Sequence, residues 1–179
     1  MADLSGARQR QIVASSPYLR QLPAASRLVL RGASEVLAAA ADALGLPHSE
    51  TPCRASNNDA CSLLWLGPDE RLLLGAADAA AEMSDRLQQA LAGMPHSVVE
   101  ISHALVGLEV SGPRAAAALN IGCPLDLDPA SFPVDMCTRT VFAKAQIVLW
   151  RTATDSFRVE TARSFAPYVT KVLALAEHE

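Results

Sequence analysis

One order of elements is written twice in this chain, and it limits the fold more than any single motif does. In the first copy, Ser26-Arg27-Leu28-Val29-Leu30-Arg31 reads as a strand that ends at Gly32. A helix follows, with Val36, Leu37, Ala40, Ala41 and Leu44 at helical spacing on its apolar face. Ser34 is its expected N-cap and Gly45 its expected C′ residue, with Pro47 beyond. Residues 51–60 hold Pro52, Asn57, Asn58 and Asp59 and read as a loop. The apolar runs Ser62-Leu63-Leu64-Trp65-Leu66 and Arg71-Leu72-Leu73-Leu74-Gly75 flank Gly67-Pro68-Asp69-Glu70. That link reads as a hairpin turn, because proline presets the φ of the second position of a type I turn. A second helix over 77–91 turns Met83, Leu87, Ala90 and Leu91 inward, and Gly93 and Pro95 stop it.

The second copy repeats this order. Val98-Val99-Glu100-Ile101 and Val106-Gly107-Leu108-Glu109-Val110 are strand-like. Gly112-Pro113 opens a short helix over 114–120, with the proline expected at the first helical position. A loop over 123–135 leads to Thr140-Val141-Phe142, Ile147-Val148-Leu149-Trp150-Arg151 and Phe157-Arg158-Val159-Glu160. A last helix over 164–176 carries Phe165, Tyr168, Val169, Val172 and Leu173 on one face. Leu30-Arg31-Gly32 aligns with Val110-Ser111-Gly112, and Leu64-Trp65 with Leu149-Trp150. The expected fold is α+β: two ferredoxin-like β-α-β-β-α units, mainly antiparallel sheet with helices packed on it. Residues 1–25 read as an irregular lead-in, 26–95 as the first unit and 96–179 as the second, the two forming one compact body.

Composition fits such a body. Half of the 179 residues are hydrophobic and 19% are charged, which excludes disorder for most of the chain. A chain of this length buries roughly 70% of its unfolded surface and needs no metal or disulfide to fold. The net charge of -4 gives no reason to expect nucleic acid as a partner. No uncharged run approaches the ~20 apolar residues of a membrane helix. The first twenty residues carry Asp3, Arg8, Arg10 and Arg20 without an apolar core, so no secretory signal is expected. Cys53, Cys61, Cys123 and Cys137 form no CxxC pair, and His48, His96, His103 and His178 do not cluster with them at metal-ligand spacing. A cytoplasmic protein with reduced, mostly buried cysteines and no bound metal is expected.

No motif here specifies catalysis. Cys123 follows Gly122 at a helix C-terminus, where the dipole opposes a thiolate. In Glu100-Ile101-Ser102-His103, a strand puts Glu100 and Ser102 on one face and His103 on the other, so Glu100 cannot orient the imidazole. Pro113 removes a donor from the Gly112-Pro113-Arg114 turn, and no phosphate-loop pattern accompanies it. Asp126 and Asp128 lack the glycine and glutamate of a calcium loop. Trp65 and Trp150 read as core residues, and Lys144 as an exposed turn residue.

Several short runs carry a family resemblance. They are Trp65-Leu66-Gly67-Pro68-Asp69-Glu70, Ile101-Ser102-His103, Val110-Ser111-Gly112-Pro113-Arg114, Gly122-Cys123-Pro124-Leu125-Asp126-Leu127 and Phe132-Pro133. Ala143-Lys144-Ala145, Val148-Leu149-Trp150-Arg151 and Arg163-Ser164-Phe165-Ala166 complete the set. From about Leu28 onward the chain resembles the gamma subunit of heterotetrameric sarcosine oxidase, a family similar in fold to the folate-binding aminomethyltransferases of glycine cleavage. Two positions depart from the pattern: Arg71 stands where an aromatic residue is usual, and Ala104-Leu105 where basic residues are usual.

The resemblance implies a non-catalytic subunit of a bacterial cytosolic complex with alpha, beta and delta partners. That complex demethylates sarcosine oxidatively to glycine and hydrogen peroxide and passes a one-carbon unit to tetrahydrofolate. FAD, FMN, NAD, zinc and tetrahydrofolate are then held by the other subunits, with no cofactor, metal or catalytic residue in this one. Gly112, Pro113, Cys123, Pro124, Leu125, Phe132, Pro133, Arg163, Ser164 and Phe165 are expected to serve a subunit interface or the local fold. An apolar docking face is expected, through which the isolated chain self-associates. Two other readings stand beside this one: a free-standing folate-binding or one-carbon transfer module, and a thiol enzyme built on Cys123.

Overall fold

The computed structural model describes residues 18–175. The expected lead-in over 1–17, the helical end at Ala176 and His178 lie outside them. Ten strands and four helices follow in chain order. They are β1 (Leu19–Gln21), β2 (Ser26–Gly32), α1 (Ser34–Leu44), β3 (Ala55–Asn57), β4 (Cys61–Gly67), β5 (Glu70–Gly75) and α2 (Ala80–Ala90). Then come β6 (His96–Glu100), β7 (Leu105–Ser111), α3 (Ala115–Asn120), β8 (Cys137–Phe142), β9 (Ala145–Ala153), β10 (Ser156–Ala162) and α4 (Ala166–Leu175).

The strands form two five-stranded sheets, β3-β4-β5-β2-β6 and β8-β9-β10-β7-β1, with every adjacent pair antiparallel. The two orders match term by term, so the repeat expected from the sequence is present as two equivalent sheets. The repeats also exchange their outer strands. β6 precedes the second repeat yet pairs with β2 of the first, Val99 opposite Val29. β1 precedes the first repeat yet pairs with β7 of the second, Leu19 opposite Val110. Sheet membership therefore does not follow the expected boundaries: β6 lies beyond residue 95 but in the first sheet, and β1 lies inside the expected lead-in but in the second. The cause is edge pairing. β2 and β7 each offer a row of backbone groups that must be satisfied, and the chain segment entering the opposite repeat supplies the partner.

Alternation along the strands builds four layers. Leu28, Leu30 and Leu73 face α1 and α2, against Val36, Leu37, Met83 and Leu87. Val106, Leu108, Ile147 and Leu149 face α3 and α4, against Ala115, Leu119, Val169 and Leu173. The other faces meet each other through Leu64, Leu72, Leu74, Cys137, Val148 and Trp150. Helices thus cover the outer face of each sheet and the inner faces pack together. This explains why β5 and β9 are nearly continuous apolar runs, since they are buried on both sides. At one edge the sheets are stitched directly. Ala55 N–H donates to Asp135 O at 2.8 Å and Cys137 N–H to Cys53 O at 2.9 Å.

Helix ends differ from expectation in detail. Ser34 is the first helical residue of α1 rather than its cap, and its hydroxyl donates to Glu50. Gly45 takes φ +67 after the last turn, as expected, and Leu46 N–H closes on Ala41 O at 2.9 Å. Ala90 of α2 is exposed, because it lies off the stripe of Met83, Leu87 and Leu91 that packs into the core. Pro113 precedes α3 by two residues instead of occupying its first position, since Gly112 at φ +106 and the Arg114 cap complete the turn first.

Two ion clusters join the sheets through the apolar layer. Glu160 on β10 accepts from Arg27 Nε of β2 at 2.7 Å and from Arg158 Nε at 2.7 Å, and Arg27 and Glu160 are each 1% exposed. Gly107 on β7 makes room for them: a Cβ there would stand 3.0 Å from Glu160 Oε1 and 3.2 Å from Arg27 Nη2. Glu70 on β5 accepts from Arg31 Nη2 of its own sheet at 2.6 Å and from Arg139 Nη2 of the other sheet at 2.7 Å. The Arg139 guanidinium, seconded by Arg31 and opposed by burial, holds the Glu70 carboxyl below its ordinary value of 4.5.

Removing the negative member of a buried pair strands its cation. Glu160→Gln is therefore expected to lower unfolding free energy by roughly 3–5 kcal/mol in urea titrations, whereas Arg20→Ala, which breaks the exposed pair with Glu109, leaves it unchanged within error. For Glu70 the pH dependence follows from its depressed carboxyl. Its contribution is complete above the ordinary value and disappears as pH falls through the lower folded value. Urea midpoints of wild type and Glu70→Gln should differ at pH 7 and converge as pH falls through the lowered folded value; a gap that stays constant with pH contradicts this role.

Candidate functional site

The segment richest in family-like residues is the loop after α3, and its geometry is fixed from beneath by one side chain. Arg151, 2% exposed on β9, donates to Leu127 O at 3.2 Å, Phe132 O at 2.6 Å and Thr154 O at 2.8 Å. Its guanidinium lies 4.8 Å from the Phe157 ring, which in turn packs on Phe132 with centroids 6.4 Å apart. Arg151 thus satisfies carbonyls that an irregular loop leaves unpaired. Asp126 orders the loop's tip, accepting from Asp128 N–H at 3.0 Å and the Ser131 hydroxyl at 2.7 Å. These two donors hold its carboxyl below the usual range. Gly122 is required where the loop begins: a Cβ would meet Ala143 N at 2.9 Å, and Ala143 N–H donates to Gly122 O at 2.8 Å. Lys144 sits beside Ala143 in the exposed β8–β9 turn.

The motif residues separate by exposure. Cys123 and Phe132 are buried in the second sheet's core. Leu125, Pro133 and Gly112 are half-buried, while Pro113, Pro124, Arg163, Ser164 and Phe165 are exposed. Gly112 N–H donates to Asp155 O at 2.8 Å, tying the start of α3 to the β9–β10 turn. Arg163 reaches back to the connection after β6, donating from Nε to His103 O and from its backbone to Ala104 O, both at 2.9 Å. In that connection Ser102 Oγ donates to Glu100 at 2.8 Å and accepts from Arg27 N–H at 3.0 Å. Glu100 therefore engages Ser102, and it does so across the turn after β6 rather than along one face of a strand, since β6 ends at Glu100.

The chemistry available is that of structure. Burial raises the Cys123 thiol, outweighing hydrogen bonds from Leu125 and Thr140. Cys137, buried between the sheets, is pushed up to about 12. Among the described residues no three His, Cys, Asp or Glu side chains converge as a metal site. Trp150 lies in the inter-sheet core and Trp65 packs against it. Arg71, at the position where the family pattern favours an aromatic residue, lies 5.8 Å from the Trp65 ring and donates to Gly67 O at 2.6 Å and Glu70 O at 3.0 Å.

The sheets part at one end and leave a cleft of about 190 Å³. Its walls are mostly aliphatic, from Val29, Leu72, Leu105 and Val148, with Arg139 and Glu160 as the charged contributors. None of the charged residues of the two ion clusters stood out in the sequence. The available signal was a charge within an otherwise apolar run, as with Arg27 beside Leu28-Val29-Leu30.

The thiol environments give a direct test. Iodoacetamide at pH 8 on the folded chain should modify the half-buried Cys53 and spare Cys123 and Cys137, as read by peptide mass spectrometry. Rapid labelling of Cys123 would instead point to an activated thiol.

Comparison with known proteins agrees with this architecture. Residues 31–179 match the model of the sarcosine oxidase, gamma subunit family. Sarcosine oxidase subunit gamma from Corynebacterium sp. (strain U-96) is 37% identical over 141 residues, 79% of this chain and 67% of that one. A chain of the heterotetrameric sarcosine oxidase from Corynebacterium sp. U-96, solved in complex with pyrrole 2-carboxylate, superposes with a TM-score of 0.81 at 32% identity, over 92% of this chain and 87% of that one. The glycine cleavage system aminomethyltransferase T from Bartonella henselae shares the fold, with a TM-score of 0.64 at 17% identity over 87% of this chain and 44% of that one. Sequence and architecture together place the chain in the sarcosine oxidase gamma-subunit family.

Proposed function

We propose that this chain is the non-catalytic gamma subunit of a bacterial heterotetrameric sarcosine oxidase, assembled in the cytoplasm with alpha, beta and delta chains. The observation that carries this reading is the superposition on a chain of a heterotetrameric sarcosine oxidase over nine-tenths of the molecule. The residues themselves support it. Buried polar side chains are committed to holding sheets and loops, as Arg27, Glu160 and Arg151 are, and the two deepest thiols among the motif and inter-sheet residues are raised rather than activated. FAD, FMN, NAD, zinc and tetrahydrofolate belong in this reading to the partner subunits, which oxidise sarcosine to glycine and transfer the one-carbon unit. The loop over 123–133 and the 163–165 stretch hold the local fold.

The test is isolation of the tagged chain from its native host under gentle conditions, with subunit masses and an absorption spectrum. A yellow assembly with three further chains and sarcosine-dependent peroxide formation is expected. A colourless, solitary 18.9 kDa species from cells grown on sarcosine would refute the subunit reading. Calorimetric titration of that species with tetrahydrofolate would then examine the free-standing module.

A further inference from the structure

We propose that the open end of the inter-sheet cleft is the docking groove of this chain, and that its occupant is an extended acidic segment of another oxidase subunit, anchored by an apolar side chain; this rests on the subunit reading above. The groove is mostly apolar, with Arg139, Gln146 and Glu160 as its polar lining. Val99 on β6 stands opposite Val29, a cleft-lining residue, and Val141 on β8 stands opposite Gln146, which also lines the cleft. Cross-strand neighbours share a face, so both valines extend the cleft's lining outward. They are 52% and 41% exposed, on a chain whose other strand-borne aliphatic residues are largely covered. A cleft of about 190 Å³ between them accommodates one aliphatic or aromatic side chain.

Charge selects the occupant. Glu70 and Glu160 each meet two arginines, Arg31 with Arg139 and Arg27 with Arg158. Each of these two carboxylates is thus outnumbered by its arginines, with Asp69 as a further carboxylate near Arg31, within a chain whose net charge is -4. Arg139, which lines the cleft, and Arg31, which shares Glu70 with it, are half-exposed, with side chains 46% and 58% accessible. Among the described residues, their hydrogen bonds all go to Glu70, through one nitrogen of Arg31 and two of Arg139. Both side chains keep solvent-accessible surface beyond these bonds, and arginine presents its donors in a fork that fits a second carboxylate. An aliphatic groove flanked by half-exposed arginines matches a segment that pairs an apolar anchor with Asp or Glu. A basic or purely apolar segment would leave these cations uncompensated.

The test uses the full chain, tagged and expressed in host cells lacking the native copy, with recovery of the other oxidase subunits as the readout. Val99→Asp/Val141→Asp should lower that recovery at least about tenfold, as loss of a central apolar anchor does. Arg31→Glu is a second variant at an exposed position, and it should slow association by roughly tenfold in surface-based kinetics with the purified partner subunits. Thermal melting of both variants verifies that they fold. Wild-type binding should weaken as NaCl rises from 50 mM to 500 mM, through screening of the arginines. Leu175→Asp, on the outer side of α4, should assemble normally. Wild-type assembly together with normal assembly of both groove variants would overturn the groove and leave the subunit reading intact. Loss through Leu175→Asp alone would do the same, and salt-insensitive binding would remove the acidic occupant. A wild-type chain that recovers no partner subunits fails the subunit reading itself, and the groove falls with it.

Discussion

The pairing of Arg27 with Glu160 is the constraint around which the two sheets are arranged. Both groups are removed from water; Glu160 has a second partner in Arg158 of its own strand, whereas Arg27 has no other carboxylate partner among the described residues. The pair fixes which residue of β2 lies over which residue of β10. It also favours a glycine at position 107, where a Cβ would stand 3.0 Å from Glu160 Oε1. Hydrophobic contact between inner faces is non-directional and tolerates sliding; a charge pair with a matching notch does not. The Glu70 cluster repeats the arrangement nearer the open end, with arginines from both sheets on one carboxylate. Uniqueness of the sheet-to-sheet register is thus carried by a few polar groups set into an aliphatic layer.

Much of this was legible in the sequence because the fold is built from local signals. Gly67-Pro68-Asp69-Glu70 marks its hairpin without help from elsewhere, and the 3.6-residue spacing through Val36, Leu37, Ala40, Ala41 and Leu44 marks α1 and its buried face. The doubling of the unit was readable for the same reason. What could not be read was non-local. β1 is three residues long and owes its existence to β7, about ninety positions away. β6 carries the composition of any short strand, and only pairing decides that it belongs with β2.

The candidate site was less legible than the fold. The run Gly122-Cys123-Pro124-Leu125-Asp126-Leu127 marks a loop that Arg151 binds through its carbonyls, and carbonyls leave no trace in side-chain identity. Cys123 stands out in a sequence as a reactive type, yet burial makes it a packing residue. Arg31, Glu70 and Arg139 look like ordinary surface charges until the fold brings them to one place. Arg71 departs from the family pattern, and only the fold shows its guanidinium lying 5.8 Å from the Trp65 ring.

The exchanged outer strands set a timetable for synthesis. β1 leaves the ribosome first, but its partner β7 follows only after the whole first repeat has emerged. The first sheet can close once β6 is out, while Arg27 on its inner face still waits for Glu160. During that interval a wet apolar face and an unmatched cation are presented together, a state open to premature association. Long-range pairing of this kind makes folding slow relative to a helical chain of equal length. The contacts between the inner faces can form only once both halves have emerged.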